Sequence, residues 1–155
     1  MATREHLAWK VFHRTSEYDA AIASFLNNEQ TTQKTFNLSL PLYAELRYGD
    51  NPHQAASLYG HFGDHFAKLH GKDLSYTNVI DIQSAAGLVQ EFRRPTVAIL
   101  KHTNPCGIGC ADEDLREAWQ KAFETDKQAP FGGVIVTNRS MTLSLAKLIS
   151  EIFTD

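Results

Sequence analysis

The stretch PTVAILKH, residues 95–102, decides the fold of this chain. Its centre is a short continuous apolar run, which is typical of a strand buried in the middle of a parallel sheet. A second run of this kind, VIVT, occupies residues 134–137 and predicts another buried strand. Buried strands need helices to cover the faces of their sheet, so the two runs predict an α/β protein.

Helical periodicity surrounds these strands. Apolar residues at three- and four-residue spacings predict helices over residues 78–92, 115–125 and 142–153. The second of these helices would begin near Asp112 or Asp114. Helices alternating with strands predict βαβ crossovers and a layered sheet. Because ligands bind such sheets at the carboxyl ends of strands, residues 101–109 and 138–139 become the candidate ligand-binding loops.

The first part of the chain differs in composition from the rest. Apolar residues at helical spacing, Val11 and Phe12 among them, predict a helical lead-in, as one helix or as two divided at Ser16. The polar run NNEQTTQK that follows predicts a linker. We therefore divide the chain into residues 1–35 and 36–155. Since the sequence stops close to a helix, where a further strand would be expected, we expect the second region to be a piece of a larger domain.

Strands are also predicted between these regions. Short alternating runs over residues 36–48, 56–59 and 66–70 are separated by turns rich in glycine and asparagine.

Composition limits the class of protein. The chain has 155 residues, a formal net charge of -3 and 43% hydrophobic residues, which excludes a disordered chain and argues against binding of nucleic acid through phosphate neutralisation. No apolar run reaches the roughly 20 residues that cross a bilayer. The N-terminus lacks the apolar core of a secretion signal. Two cysteines are too few for a disulfide scaffold. The sequence therefore predicts a cytoplasmic protein that binds neither nucleic acid nor membranes.

The segment ILKHTNPCGIGC, residues 99–110, carries the sharpest chemical signal. Lys101 and His102 fall where the first buried strand ends, and they can face one ligand only if the strand ends between or just after them. A neutral imidazole is a suitable proton acceptor, and a nearby ammonium can stabilise an oxyanion or protonate a leaving nitrogen. The alternative is a surface lysine beside a structural histidine.

A zinc site is a second alternative for this segment. His102, Cys106 and Cys110 are similar to part of the zinc deaminase signature, in which a glutamate follows two residues after the histidine. Here that position is Asn104, the cysteines are one residue further apart, and the loop between histidine and cysteine is too short. We therefore predict no metal and interpret the cysteines as small loop residues.

Two further segments contain candidate binding residues. In LRYGDNPHQ, residues 46–54, Arg47 could clamp a phosphate, Tyr48 could stack on a base and His53 could donate to a ligand. In APFGGVIVTNR, residues 129–139, the pair that begins at Gly132 permits close approach of a ligand to the backbone. Each segment alone is equally compatible with an ordinary turn or connection.

Taken together, the segments resemble one family, the bifunctional AICAR transformylase/IMP cyclohydrolases. The motifs LRYGDNPHQ, LHGKDLSYTNVIDIQSA, ILKHTNPCGIG and TDKQAPFGGVIVTNR occur in the family's order and cover nearly the whole chain from Leu40 onward. The resemblance implies a cytidine-deaminase-like layered α/β fold without catalytic zinc. Residues 1–35 resemble the end of the cyclohydrolase domain, and residues 36–155 resemble the N-terminal half of the transformylase domain.

The resemblance also implies an activity and residue roles. A formyl group would pass from 10-formyltetrahydrofolate, the co-substrate, to the amino group of AICAR in IMP biosynthesis. His102 would accept the proton of the attacking amine, and Lys101 would stabilise the transition state. Arg47, Tyr48 and Gly132 would contact AICAR, and His53 and Asn104 join them as substrate-binding candidates. The family builds its site across a homodimer interface, so this chain would carry part of a site and need not be active alone, and cyclohydrolase activity would require the full-length protein. Two alternative functions stay open: a zinc-dependent base or nucleoside deaminase, and a non-catalytic nucleotide-binding module.

Overall fold

The computed structural model describes residues 2–27, 35 and 37–154. The chain divides into two compact units, one with residues 1–44 and 57–69 and the other with residues 45–56 and 70–155. Most of the predicted linker lies outside the described residues. The division of the chain at residue 35 therefore stays a prediction.

The first unit begins with a single long helix, α1 (Ala2–Leu26), so the lead-in is one helix and not two. None of its residues is buried, and Phe12 and Phe25 expose 73% and 88% of their surface. The apolar side chains whose spacing predicted this helix are therefore exposed within the described part of the unit.

The rest of the first unit is a small β structure. Strand β1 (Leu42–Glu45), most of which belongs to this unit, pairs with β2 (Ser57–Tyr59). The rings of Tyr43, Phe62 and Phe66 pack in series, with centroids 5.4 and 4.9 Å apart. The predicted strand over residues 66–70 is wrong. The Phe66 N–H bonds back to the Phe62 carbonyl at 3.0 Å, so this backbone closes a turn instead of joining a sheet.

The second unit is built on a three-stranded sheet. Its strands are β3 (Thr96–Lys101), β4 (Asn104–Cys110) and β5 (Val134–Thr137), in the order β4-β3-β5. The two strands predicted from sequence are thus present within one residue of their expected ends, but β5 is half-buried along its whole length, whereas β3 is buried up to Leu100. The α/β class is confirmed.

The expected parallel arrangement of these strands is wrong, because β3 pairs antiparallel with both neighbours. A two-residue turn after Lys101 returns the chain at once along β3, which makes β4 its hairpin partner. The connection through α3 (Leu115–Thr125) then joins β4 to β5 on the other side of β3. Residues 104–110 are therefore a strand and not the loop that their composition indicated.

Three helices cover the sheet: α2 (Tyr76–Gln90), α3 and α4 (Leu143–Ile149). Each begins at a capping side chain, Ser75, Asp114 or Thr142, which accepts a backbone N–H of the first turn. Alternation along β3 divides the core between the two faces. Val97 and Ile99 pack with α3 and α4, whereas Ala98 and Leu100 pack with α2 and β5.

Two glycines bring α3 directly onto β4. A Cβ at Gly107 would overlap the Ala122 carbonyl oxygen, and a Cβ at Gly109 would overlap the Ala118 carbonyl oxygen. The glycines that made this segment resemble a loop are therefore required by close packing of helix on strand.

Antiparallel pairing also places the two candidate loops at opposite ends of the sheet. At the far end from Lys101, the Asn138 side chain accepts the Thr96 N–H at 2.9 Å and donates to the Phe92 and Arg94 carbonyls at 2.8 Å. Residues 138–139 therefore fasten the start of β3. In the part of the chain that the structure describes, no helix has the length and apolar character to cross a membrane.

Candidate active site

His102 and Thr103 form the tight turn between β3 and β4. Both have positive φ angles, 51° and 66°, while Lys101 pairs with Asn104 across the turn. Hairpin turns of this shape normally use Asn-Gly or a similar pair, and a β-branched residue there is an outlier. Such a conformation costs of order 1–3 kcal/mol per residue and persists only where the surroundings impose it. The predicted catalytic pair thus lies beside unusual local strain.

Hydrogen bonds hold this strained turn. The Asp81 Oδ1 on α2 accepts the Thr103 N–H at 2.8 Å. The His102 carbonyl accepts from the Thr103 hydroxyl at 2.6 Å and from the Asn104 side-chain amide at 2.8 Å. Asn104 thereby engages the backbone of the turn through its amide donor. Its proposed contact with substrate stays a prediction.

Lys101 is the last residue of β3, so the strand ends between Lys101 and His102. This is one of the two positions at which both side chains can face one ligand. The Lys101 Nζ donates to the Phe131 carbonyl at 3.0 Å. The pKa of Asp126 is lowered, mainly by N–H donation from Ala129 and Gln128, with a smaller contribution from the Lys101 ammonium. Lys101 is half-buried at this position, whereas His102 is exposed in the turn.

Gly132 lies next to the residue that anchors Lys101. Its φ of 68° is a left-handed conformation that favours glycine, and no atom lies within 4 Å of where a Cβ would be. Its N–H donates to the Phe153 carbonyl at 2.8 Å. The structure therefore places Gly132 close to Lys101 and leaves space on the side of Gly132 where a side chain would project.

Arg47 belongs to a second group of residues in the same unit. Its Nη2 donates to the Asn78 Oδ1 at 3.3 Å, and its guanidinium carbon lies 5.2 Å from the Tyr48 ring centroid. Backbone bonds from the Arg47 N–H to the Leu74 carbonyl and from the Tyr76 N–H to the Tyr48 carbonyl join this segment to the start of α2.

An open concavity of about 400 Å³ lies beside Arg47. It is lined by Arg47, His70, Lys72, Asp73, Leu74, Asn78, Ile82, Val134, Phe153 and Thr154. Three of these side chains carry basic groups, a composition that suits an anionic ligand. Phe153, whose carbonyl accepts the Gly132 N–H, connects this concavity with the Gly132 segment.

His53 is the predicted residue for which the structure gives least support. It is exposed in a turn closed by the Gly49 N–H and Gln54 carbonyl at 2.7 Å. Among the described residues, no hydrogen bond or ring contact joins it to Arg47, Lys101 or His102. Its assignment stays a prediction.

Two supporting residues were missed by the sequence reasoning. Asn78 holds Arg47, and Asp81 holds the turn after Lys101. Both lie on α2 at a spacing of three residues, which places them on one side of the helix. Two polar residues at this spacing in the otherwise apolar segment NVIDI, residues 78–82, were the signal available.

Both cysteines lie on β4 and contact β3, an arrangement unlike the clustered ligands of a zinc deaminase, and the absence of a metal stays a prediction. Cys106 donates to the Ile99 carbonyl at 3.4 Å, and Cys110 lies 3.2 Å from the Thr96 hydroxyl. Four residues of strand separate them by about 13 Å, whereas zinc binds each thiolate at about 2.3 Å. Burial raises the pKa of the Cys106 thiol, which disfavours the thiolate that a metal requires. Within residues 2–27, 35 and 37–154, no three acidic, histidine or cysteine side chains cluster to hold a metal ion.

Comparison with known proteins matches the whole of this α/β chain to one protein family. A family model described as the AICARFT/IMPCHase bienzyme matches residues 1–155. The chain therefore belongs to the AICARFT/IMPCHase bienzyme family.

Curated relatives agree with this family. The chain is similar to the bifunctional purine biosynthesis protein PurH of Chloroflexus aurantiacus, with 48% identity over 158 residues, and to that of Pelodictyon phaeoclathratiforme, with 49% identity over 168 residues. These alignments cover 100% and 99% of the chain. They cover 30% and 32% of the relatives, so the chain spans about a third of their length.

Proposed function

We propose that the chain forms part of an AICAR formyltransferase, which transfers a formyl group from 10-formyltetrahydrofolate to AICAR in purine biosynthesis. Family membership supports this reaction class. The observation that carries the proposal is the strained turn of His102 and Thr103, which presents an exposed imidazole directly after the anchored Lys101. Strain held in place beside titratable side chains is typical of functional sites.

The two side chains have distinct roles in this proposal. As the amine of AICAR attacks the formyl carbon, a C–N bond forms and the amine becomes acidic. His102 accepts that proton, which leaves the amine neutral. Collapse of the tetrahedral intermediate breaks the bond to the folate nitrogen, which takes a proton from the Lys101 ammonium and leaves as tetrahydrofolate. Proton exchange with solvent then returns His102 to its neutral form and Lys101 to its charged form. The Lys101 ammonium stabilises the developing oxyanion. General base catalysis contributes about 10²–10⁴-fold, and accurate placement supplies much of the rest.

Substrate binding is assigned to the concavity beside Arg47. Its basic side chains complement the phosphate of AICAR, and the guanidinium of Arg47 is already oriented by Asn78. Tyr48 and the open backbone of Gly132 contact the remainder of the substrate. His53 and Asn104 stay candidates for additional contacts.

The wider setting is part of the same proposal. Residues 1–35 end a cyclohydrolase domain and residues 36–155 form the N-terminal half of a transformylase domain. The complete protein is cytoplasmic, works as a homodimer and also catalyses the cyclohydrolase reaction.

Formyl transfer by the full-length protein that contains this chain tests the proposal. Release of tetrahydrofolate from 10-formyltetrahydrofolate is followed with and without AICAR, for the wild type and for His102→Ala. We expect AICAR-dependent release that falls by at least about 10²-fold in the variant, because the general base is lost. His61→Ala, which removes an exposed histidine of the other unit, is the matched control.

A calorimetric titration with AICAR tests binding separately from turnover. We expect Arg47→Ala to weaken binding by about tenfold or more, because a charge-assisted hydrogen bond to a phosphate contributes roughly 1.5–3 kcal/mol. If the wild-type chain binds no AICAR at millimolar concentration, a non-catalytic assembly module is the interpretation that remains for this chain. Stoichiometric zinc in the purified chain, lost in Cys106→Ser, would favour the deaminase alternative instead.

A further inference from the structure

The Asp81 side chain is the link between α2 and the strained turn. The turn also contains bonds from the Thr103 hydroxyl and the Asn104 amide to the His102 carbonyl, but both donors belong to the hairpin and move with it. Of the hydrogen bonds described at residues 102–103, the one from the Thr103 N–H to Asp81, 22 residues away, is the one that reaches another element. Asp81 therefore fixes the turn relative to the rest of the unit.

The helix that carries Asp81 is itself firmly placed. Its first turn is closed by the Ser75–Asn78 capping box. One turn beyond Asp81, Ala85 is buried with Ala98 and Leu100 of the sheet, and Val89 is buried further along the helix. A carboxylate on such a helix accepts a backbone N–H through a charge-assisted bond, which is stronger than a neutral one.

The turn needs an external restraint because its residues do not favour its conformation. Threonine is β-branched and rarely adopts positive φ, so a free hairpin would relax at Thr103 toward another turn shape and swing the neighbouring His102 side chain. We propose that Asp81 is a positioning residue for formyl transfer: its carboxylate holds the Thr103 N–H and thereby keeps the His102 imidazole in its reactive position. This inference rests on the proposed function and extends it to a residue that touches no substrate.

Four variants, made in the full-length protein that contains this chain, test this role: Asp81→Ala, Asp81→Asn, Thr103→Gly and the double variant Asp81→Ala/Thr103→Gly. Gln83→Ala, an exposed site on the same helix, is the matched control. We expect Asp81→Ala to lower kcat for formyl transfer by about 10- to 100-fold while KM for AICAR changes less than about threefold, because misplacement of a catalytic group by about 1 Å has an effect of this size. Asp81→Asn keeps an acceptor oxygen and should retain most of the activity.

Thr103→Gly provides a rescue that a purely structural role for Asp81 would not give. Glycine adopts positive φ without strain, so the double variant should recover at least about tenfold of the kcat lost in Asp81→Ala. A general loss of folded protein would instead lower activity in proportion to folded fraction and would not respond to Thr103→Gly. Absence of rescue, or equal changes in kcat and KM, would overturn the inference.

An NMR measurement separates this inference from the proposed function. In ¹⁵N-labelled wild type, the Thr103 amide should exchange slowly and its H–N–Cα–H coupling should report positive φ. In Asp81→Ala that resonance and the His102 ring resonances should shift, while those of Ile99 and Leu100 stay in place. Unchanged Thr103 and His102 resonances would refute the positioning role even if formyl transfer occurs. If the full-length protein shows no transfer, the proposed function fails, and the NMR result still decides whether Asp81 holds the turn.

Discussion

Asp114 illustrates how a single residue begins an element and makes it sensitive to pH. Its Oδ2 accepts the Arg116 Nη2 at 2.7 Å, and its Oδ1 accepts the Arg116 N–H at 2.9 Å. These two bonds lower the pKa of the Asp114 carboxyl below its ordinary value of 3.8. A carboxyl with a depressed folded-state pKa contributes stability that is present above its unfolded pKa and is lost as pH falls through the folded value.

We therefore expect Asp114→Ala to lower the urea midpoint at neutral pH, because the first turn of α3 loses its cap and its charge-assisted bonds. The loss should shrink as pH falls below about 4, where the wild-type carboxyl also becomes protonated. Urea unfolding at about pH 7 and about pH 3 measures both effects. Glu113→Ala, at the exposed preceding residue, should show neither effect. An equal loss for Asp114→Ala at the two pH values would contradict this account.

At the scale of elements, contact between α3 and β4 depends on two glycines, Gly107 and Gly109, which have no side chain to keep the helix off the strand. We expect Gly109→Ala to lower the free energy of unfolding by about 3 kcal/mol, because its Cβ would overlap the Ala118 carbonyl and force the helix off the strand. Gly87→Ala is the control: nothing lies within 4 Å of a Cβ there, and alanine in a helix interior should stabilise by about 0.5–1 kcal/mol. Urea unfolding distinguishes the two. A neutral Gly109→Ala would show that α3 can shift freely.

The same contact explains which elements the sequence could predict. Strands β3 and β5 and helix α3 were predicted nearly to the residue, because their apolar pattern is dictated by burial within the second unit. Strand β4 was missed because glycine, proline and asparagine indicate a loop locally, whereas the glycines serve contact with a helix. The antiparallel pairing was mispredicted for the same reason, because the β3–β4 hairpin can be predicted only if β4 is first predicted as a strand.

Site prediction reached a similar limit. Lys101, His102 and Gly132 were selected because each lies next to an apolar strand, where the pattern changes abruptly. Asp81 could not be assigned from sequence, because its role depends on how α2 packs against the hairpin and not on nearby residues. The contacts of Cys106 with the Ile99 carbonyl and of Cys110 with the Thr96 hydroxyl depend on strand register in the same way.

At the scale of the whole second unit, one strand joins two core layers. Ile99 packs toward α3 and α4 and Leu100 toward α2, and each exposes at most 1% of its surface. Since both side chains belong to the same central strand, the layers should unfold together.

We expect Ile99→Ala and Leu100→Ala each to lower the free energy of unfolding by roughly 2–5 kcal/mol. Fluorescence of Trp119, which belongs to the α3 layer, should report both losses when Trp9 is replaced by phenylalanine. Leu100→Ala is the informative variant, because its side chain lies on the opposite face. If it left the Trp119 transition unchanged, the two layers would be independent folding units. Met141→Ala, at an exposed position, serves as the control.

The turn at His102 and Thr103 has a consequence for protein engineering. Replacing it with Asn-Gly would suit the backbone better and should make the hairpin more stable, yet it would remove the imidazole. Selection for thermal stability alone would therefore favour replacement of His102. A histidine retained at this position would indicate selection for catalytic activity at the expense of stability.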